Sequence, residues 1–226
     1  MSFIVSQVAF PTLSKFQDYF GDIRNAYFKI IRYASIISFP LLIGLMVLSP
    51  HFVRIVYSSK WSGMIVPMQI LCIYGVCFSV TTFVGVIFLS TGHPGYSFRF
   101  GIITFFGTIV AILCGLNYGL IGVAVALSVY AILTNVTGNL MVGHIVKIDM
   151  FSCYKAVIPA IISSSIMSLW LILIVNLRGY LFPASEILFL IFAVLTGAII
   201  YAGVFYFISQ HIFKEMLDIF YKMFRS

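Results

Sequence analysis

The feature that most constrains this chain is a series of long stretches without charge. No Asp, Glu, Lys or Arg occurs from Tyr33 to Val53, from Trp61 to Phe98, or from Phe100 to Val146. A helix of about 20 apolar residues crosses the hydrocarbon core of a bilayer. Of the 226 residues, 62% are hydrophobic and 8% charged, whereas soluble domains carry roughly a quarter charged residues. A soluble fold could not bury that much apolar surface, because its core is limited by its surface-to-volume ratio. The sequence therefore predicts an all-α, polytopic membrane bundle of about six transmembrane helices.

Polar segments and turn residues set the divisions. Residues 1–14 read as the end of a truncated helix, and residues 15–32 as a cytoplasmic linker holding Lys15, Asp18, Asp22, Arg24, Lys29 and Arg32. Residues 33–146 form a four-helix membrane portion, with spans at 33–53, 65–90, 97–116 and 120–142. The turns are Thr91-Gly92-His93-Pro94-Gly95 and Leu116-Asn117-Tyr118-Gly119, since Gly and Pro punctuate helices. Residues 147–209 hold a final helix pair at 156–177 and 187–209. Residues 210–226 read as a cytoplasmic amphipathic tail, in which Phe213, Met216, Leu217, Phe220 and Phe224 recur at helical spacing; such a helix lies in the membrane interface.

If the chain starts inside and alternates, the inner segments hold Lys15, Arg24, Lys29, Arg32, Arg99, Lys147, Lys155, Lys214, Lys222 and Arg225. The outer segments hold only Arg54, Lys60 and Arg178. Lys and Arg are retained on the cytoplasmic side during insertion, so the N- and C-terminal segments are expected there.

Small residues are placed to bring helices together, since association in lipid depends on close packing. Gly115 and Gly119 are four apart, as are Gly122 and Ala126, and Ser163, Ser164, Ser165 and Ser168 give the fifth span a small polar face. Pro40, Pro67 and Pro159 lie within or at the start of spans, where kinks are common in transporters. Cys72, Cys77, Cys114 and Cys153 show no CxxC spacing and read as apolar fillers.

Catalysis finds little support. His51, His93, His144 and His211 fall at predicted membrane edges on mixed sides, Glu186 sits at the outer start of the sixth span, and no acid lies deep in a span. No enzyme activity, catalytic residue, metal site, cofactor or nucleic-acid partner is expected. The polar residues inside spans are uncharged: Gln69 in the second, and Thr134, Asn135, Thr137 and Asn139 in the fourth. Buried Asn is more often a helix–helix hydrogen bond than a ligand contact. Asn135 and Asn139 nevertheless share a helix face, and a substrate path through the chain would draw on Asn135, Asn139, Gln69 and Thr134.

Several stretches carry a resemblance. Phe10-Pro11-Thr12-Leu13-Ser14-Lys15-Phe16-Gln17 resembles the "FPxLSxxQ" signature of the polysaccharide flippases of the multidrug/oligosaccharidyl-lipid/polysaccharide exporter superfamily. Ser38-Phe39-Pro40-Leu41-Leu42-Ile43-Gly44-Leu45 is similar to the start of their next helix, and Val53-Arg54-Ile55-Val56-Tyr57 with Lys60-Trp61 to their "VrllfGxkW" outer loop. Ser58-Ser59 stands where those proteins usually have Gly. Pro67-Met68-Gln69-Ile70-Leu71 resembles "PLQIL", and Gly119-Leu120-Ile121-Gly122-Val123-Ala124-Val125-Ala126 resembles "GlxGvAxA". The order and spacing of these motifs resemble Wzx-like proteins of the colanic-acid type, C-terminal half only.

The resemblance implies two helical lobes working by alternating access, of which this chain is the second lobe plus the last two helices. It implies transport of undecaprenyl-diphosphate-linked oligosaccharide across a bacterial inner membrane, with membrane lipids and either the missing N-terminal lobe or a second membrane chain as partners. Alone, the chain is expected to be inactive. A drug or peptidoglycan-precursor exporter of the same superfamily, and a non-transporting membrane subunit or remnant, are the other readings. No ionisable residue sits near a predicted midplane, where a proton-coupled antiporter normally keeps one.

Overall fold

A computed structural model describes residues 20–146, 150–181 and 185–211. The expectations for residues 1–14 and for the amphipathic stripe Phe213–Phe224 lie outside the described residues. The helices run α1 Phe20–Val56, a 3-10 turn Ser59–Met64, α2 Ile65–Thr81, α3 Val84–Ser90, α4 Pro94–Leu116, α5 Gly119–Val146, α6 Met150–Leu181 and α7 Glu186–Ile208. Among the described residues, six segments are long and apolar enough to cross a membrane. The fold is an all-α, multi-pass membrane bundle, and α1 is its spine, packing against α2, α6 and α7.

The polar segment expected to be a linker is helical from Phe20 and continues into the first span without a break. Tyr27 and Ile31, four apart, are fully buried in one core cluster with Cys153 and Val157 of α6, while Arg24 and Lys29 stay exposed. The charges marked where apolarity ends, but an amphipathic helix needs no such limit.

Pro40 and Pro50 both lie inside α1. Proline lacks an N–H, so it leaves the carbonyl four residues earlier without its helical donor. The two freed carbonyls are those of Ile36 and Met46. The Tyr201 hydroxyl of α7 donates to the Ile36 carbonyl at 2.8 Å. Gln69 Nε2 of α2 donates to the Met46 carbonyl at 3.2 Å, and Ser49 donates to the same oxygen at 3.0 Å. In hydrocarbon no water would substitute. The prolines thus fix which residues of other helices must come to α1.

The second span, expected as one helix over 65–90, is two helices parted at Thr82 and Phe83. No proline causes this. Phe83 N–H donates to the Val80 carbonyl at 3.4 Å, a tightened three-residue step. Thr81 Oγ1 and Asn135 Nδ2 both donate to the Cys77 carbonyl, at 3.0 and 3.3 Å. Side chains inserted into the backbone ladder bend helices in this way.

The α4–α5 hairpin closes at Gly119, whose φ of +67° suits glycine. Its two helices meet almost backbone to backbone. A Cβ on Gly115 would lie 2.6 Å from Val123 Cα and 2.7 Å from the Gly122 oxygen. Lower in the hairpin, Tyr130 donates its hydroxyl to the Ile103 carbonyl at 2.9 Å and fills the space beside Gly107.

Between α1 and the 3-10 turn, Ser58 holds φ 72° and ψ 167°. Only glycine enters this region without strain, and the cost to other residues is about 1–3 kcal/mol. This is the segment where the resembling flippases carry Gly. Ser58→Gly is expected to raise the melting temperature in detergent, with a net gain of about 1 kcal/mol after glycine's larger chain entropy. An unchanged or lower melting point would show that the loop holds no strain.

Candidate functional site

The uncharged polar residues of α5 meet the break in the second span. Asn135 Nδ2 donates to Thr81 Oγ1 at 3.0 Å as well as to the Cys77 carbonyl. Asn139 Nδ2 donates to the Asn135 carbonyl at 2.9 Å and to Asn135 Oδ1 at 3.2 Å. Tyr27 of α1 donates to Asn139 Oδ1 at 3.4 Å, the longest link. A polar chain thus runs from α1 through α5 into α2.

Asn135 and Asn139 share the expected face and line a cavity of about 330 Å3, with Phe39 and Ile43 of α1, Val76 and Val80 of α2, and Val157 and Ile161 of α6. Their amide hydrogens are largely committed to helix contacts. This is the helix-joining use that buried Asn usually has in membranes, where each such bond contributes about 0.6–2 kcal/mol.

The structure separates the other two candidates from this pair. Gln69 satisfies the carbonyl freed by Pro50. Thr134 is buried, with its hydroxyl donating to the Tyr130 and Ala131 carbonyls at 3.0 Å each. It lines a different cavity, between α2, α4 and α5. The pairing of Tyr201 and Gln69 with α1 went unforeseen, although Pro40 and Pro50 mark the two acceptors in the sequence.

A charged cluster joins α1, α6 and α7 at one end of the bundle. Arg178 Nη2 donates to Glu186 Oε1 at 2.8 Å, and Arg178 Nη1 lies 3.2 Å from His51 Nδ1. A guanidinium has no acceptor, so His51 Nδ1 is the acceptor and its proton sits on Nε2. Arg178 also lies 5.6 Å from the centre of the Phe189 ring, and the His51 ring meets that ring at 4.9 Å. Arg178 and Glu186 keep side-chain exposures of 24% and 38%, so the ion pair itself adds little stability. Among the described residues, no group of three His, Cys, Asp or Glu could hold a metal ion.

Residues 1–66 match the model of a family described as "Polysaccharide biosynthesis protein". The chain is 31% identical over 169 residues to the lipopolysaccharide biosynthesis protein WzxC of Escherichia coli K12, covering 74% of this chain and 32% of that protein. Over these stretches the chain is similar to polysaccharide biosynthesis membrane proteins. It is also 23% identical over 169 residues to the teichuronic acid biosynthesis protein TuaB of Bacillus subtilis, covering 74% of this chain and 35% of TuaB. It thus spans about a third of the length of the curated relatives it matches. Among solved structures, lipid II flippase MurJ in an inward closed conformation aligns with a TM-score of 0.68 and 20% identity, over 92% of this chain and 43% of that one. At that identity the match establishes the fold alone, a multi-pass helical bundle like part of MurJ. The family model covers the first of the motifs noted above, from Phe10 to Trp61.

Proposed function

We propose that the chain is the C-terminal portion of a transporter that flips undecaprenyl-diphosphate-linked oligosaccharide across a bacterial inner membrane for surface polysaccharide synthesis. The observation that carries this reading is the 31% identity to WzxC, on a chain whose fold matches part of lipid II flippase MurJ. The uncharged polar interior of α2 and α5 supports it. The chemistry is displacement of a bulky amphiphile, which needs a path rather than a nucleophile. The distribution of basic residues supports an orientation with the N- and C-terminal segments on the cytoplasmic side. That orientation leaves the His51–Arg178–Glu186 cluster at the outer face. The partner is an N-terminal lobe, in the same chain or a second one, because alternating access requires two bodies around one cavity.

The test uses an Escherichia coli strain lacking its WzxC. A chimera in which this chain replaces the corresponding C-terminal part of WzxC is expected to restore surface polysaccharide, and this chain alone is expected not to. A chimera that reaches the membrane folded but restores nothing sinks the flippase reading. Restoration by the chain alone sinks the requirement for a second lobe.

A further inference from the structure

The cavity between α2, α4 and α5 lies across α5 from the Asn135–Asn139 pair, and its chemistry differs. It measures about 270 Å3, just under the range of small-molecule sites. One wall is aromatic: the Tyr74 and Phe78 rings lie 5.7 Å apart with planes within 12° of each other, and Tyr130 adds a third ring. The rest is largely hydroxyl. Thr134 and Tyr130 have spent their protons on backbone carbonyls, so their oxygens offer only lone pairs. Thr82 and Ser97 also line the space, and their hydroxyls make no hydrogen bond among the described residues, so both remain able to donate and accept. No lining residue carries a charge.

These properties select the ligand. A phosphate or uronate would lose its water and meet no cation, and a cation would meet no carboxylate; burying an unpaired charge is costly. A purely apolar tail would leave the hydroxyls unmatched. A neutral pyranose fits both halves. Its C–H face suits the aromatic wall, whose π-face is electron-rich, and its hydroxyls can both donate and accept. The volume admits one ring and no more. We propose that this cavity is a subsite for one neutral monosaccharide unit, held by Thr82 and Ser97 against Tyr74 and Phe78. The inference deepens the flippase reading by assigning part of its glycan preference to a place. The carrier's diphosphate must then be bound elsewhere.

The full chain in lipid nanodiscs is examined by saturation-transfer NMR with methyl β-galactoside, methyl β-glucoside and glucuronic acid. At least one neutral glycoside is expected to receive saturation, with glucuronic acid roughly tenfold weaker, the ratio expected for one unmet polar contact. The double variant Thr82→Val, Ser97→Ala is expected to lose the neutral signal by a similar factor. Thr196→Val, at a half-buried position on α7 outside the cavity lining, is expected to keep it. Melting curves establish that the variants are folded. If the double variant does not fold, Ser97→Lys alone decides, because an added cation should turn the preference toward glucuronic acid. Absence of signal from both neutral glycosides, equal signal from glucuronic acid, or a signal unmoved in a folded variant overturns the proposal. Failure here leaves the chimera result standing, and failure of the chimera leaves this binding result standing.

Discussion

Gly115→Leu is expected to leave no recoverable folded chain, measured as loss of the monodisperse peak in detergent gel filtration. A Cβ on Gly115 already meets Val123 Cα at 2.6 Å and the Gly122 oxygen at 2.7 Å. Overpacking a core costs about 1–3 kcal/mol when side chains can move aside. Here the obstacle is backbone, so even Gly115→Ala should fall in that range, and Leu should exceed it. The matched control is Gly101→Ala, where the new Cβ meets nothing within 4 Å. That variant should melt no lower than the parent, since Ala favours a helix over Gly by roughly 0.5–1 kcal/mol. A normal peak for Gly115→Leu would mean that the α4–α5 hairpin is not packed this closely.

Tyr201→Phe is expected to destabilise the chain by about 1–3 kcal/mol, the usual cost of leaving a buried acceptor without its donor. The acceptor is the Ile36 carbonyl, and Pro40 is the reason it lacks a helical donor. A double-mutant cycle makes the cause testable. Pro40→Ala supplies an N–H at position 40, so Tyr201→Phe should cost clearly less in that background. Equal cost in both backgrounds would show that Tyr201 acts through packing alone. The cycle is read from chemical-denaturation midpoints in mixed micelles.

Much of the fold was legible because hydrocarbon removes alternatives. An uncharged run of about 20 residues can do little there except cross as a helix. The turn at Leu116–Gly119 was equally plain. What the sequence hid was set by geometry between distant helices. Arg24 and Lys29 suggested a linker because their charge is visible, whereas the burial of Tyr27 and Ile31 depends on α6, more than a hundred residues later. The break at Thr82–Phe83 is marked locally only by Thr81, whose hydroxyl donates to the Cys77 carbonyl, an oxygen that Asn135 of α5 also reaches. The candidate site divided for a related reason. Asn135 and Thr134 are neighbours in sequence, but consecutive helical residues point about 100° apart, so they line different cavities. Pro40, legible as a kink, and Pro50 each also name an orphaned carbonyl by simple counting.

The clasp between Tyr201 and Ile36 also has a duration. The two residues are 165 apart in the chain, and ribosomes add about 5–20 residues per second. The Ile36 carbonyl therefore enters the membrane roughly 8–30 s before its partner exists. For that interval something else must shield it: water at the translocon, a lipid headgroup or a chaperone. Synthesis of this chain passes through an obligatory waiting period, and α1 is the segment that waits.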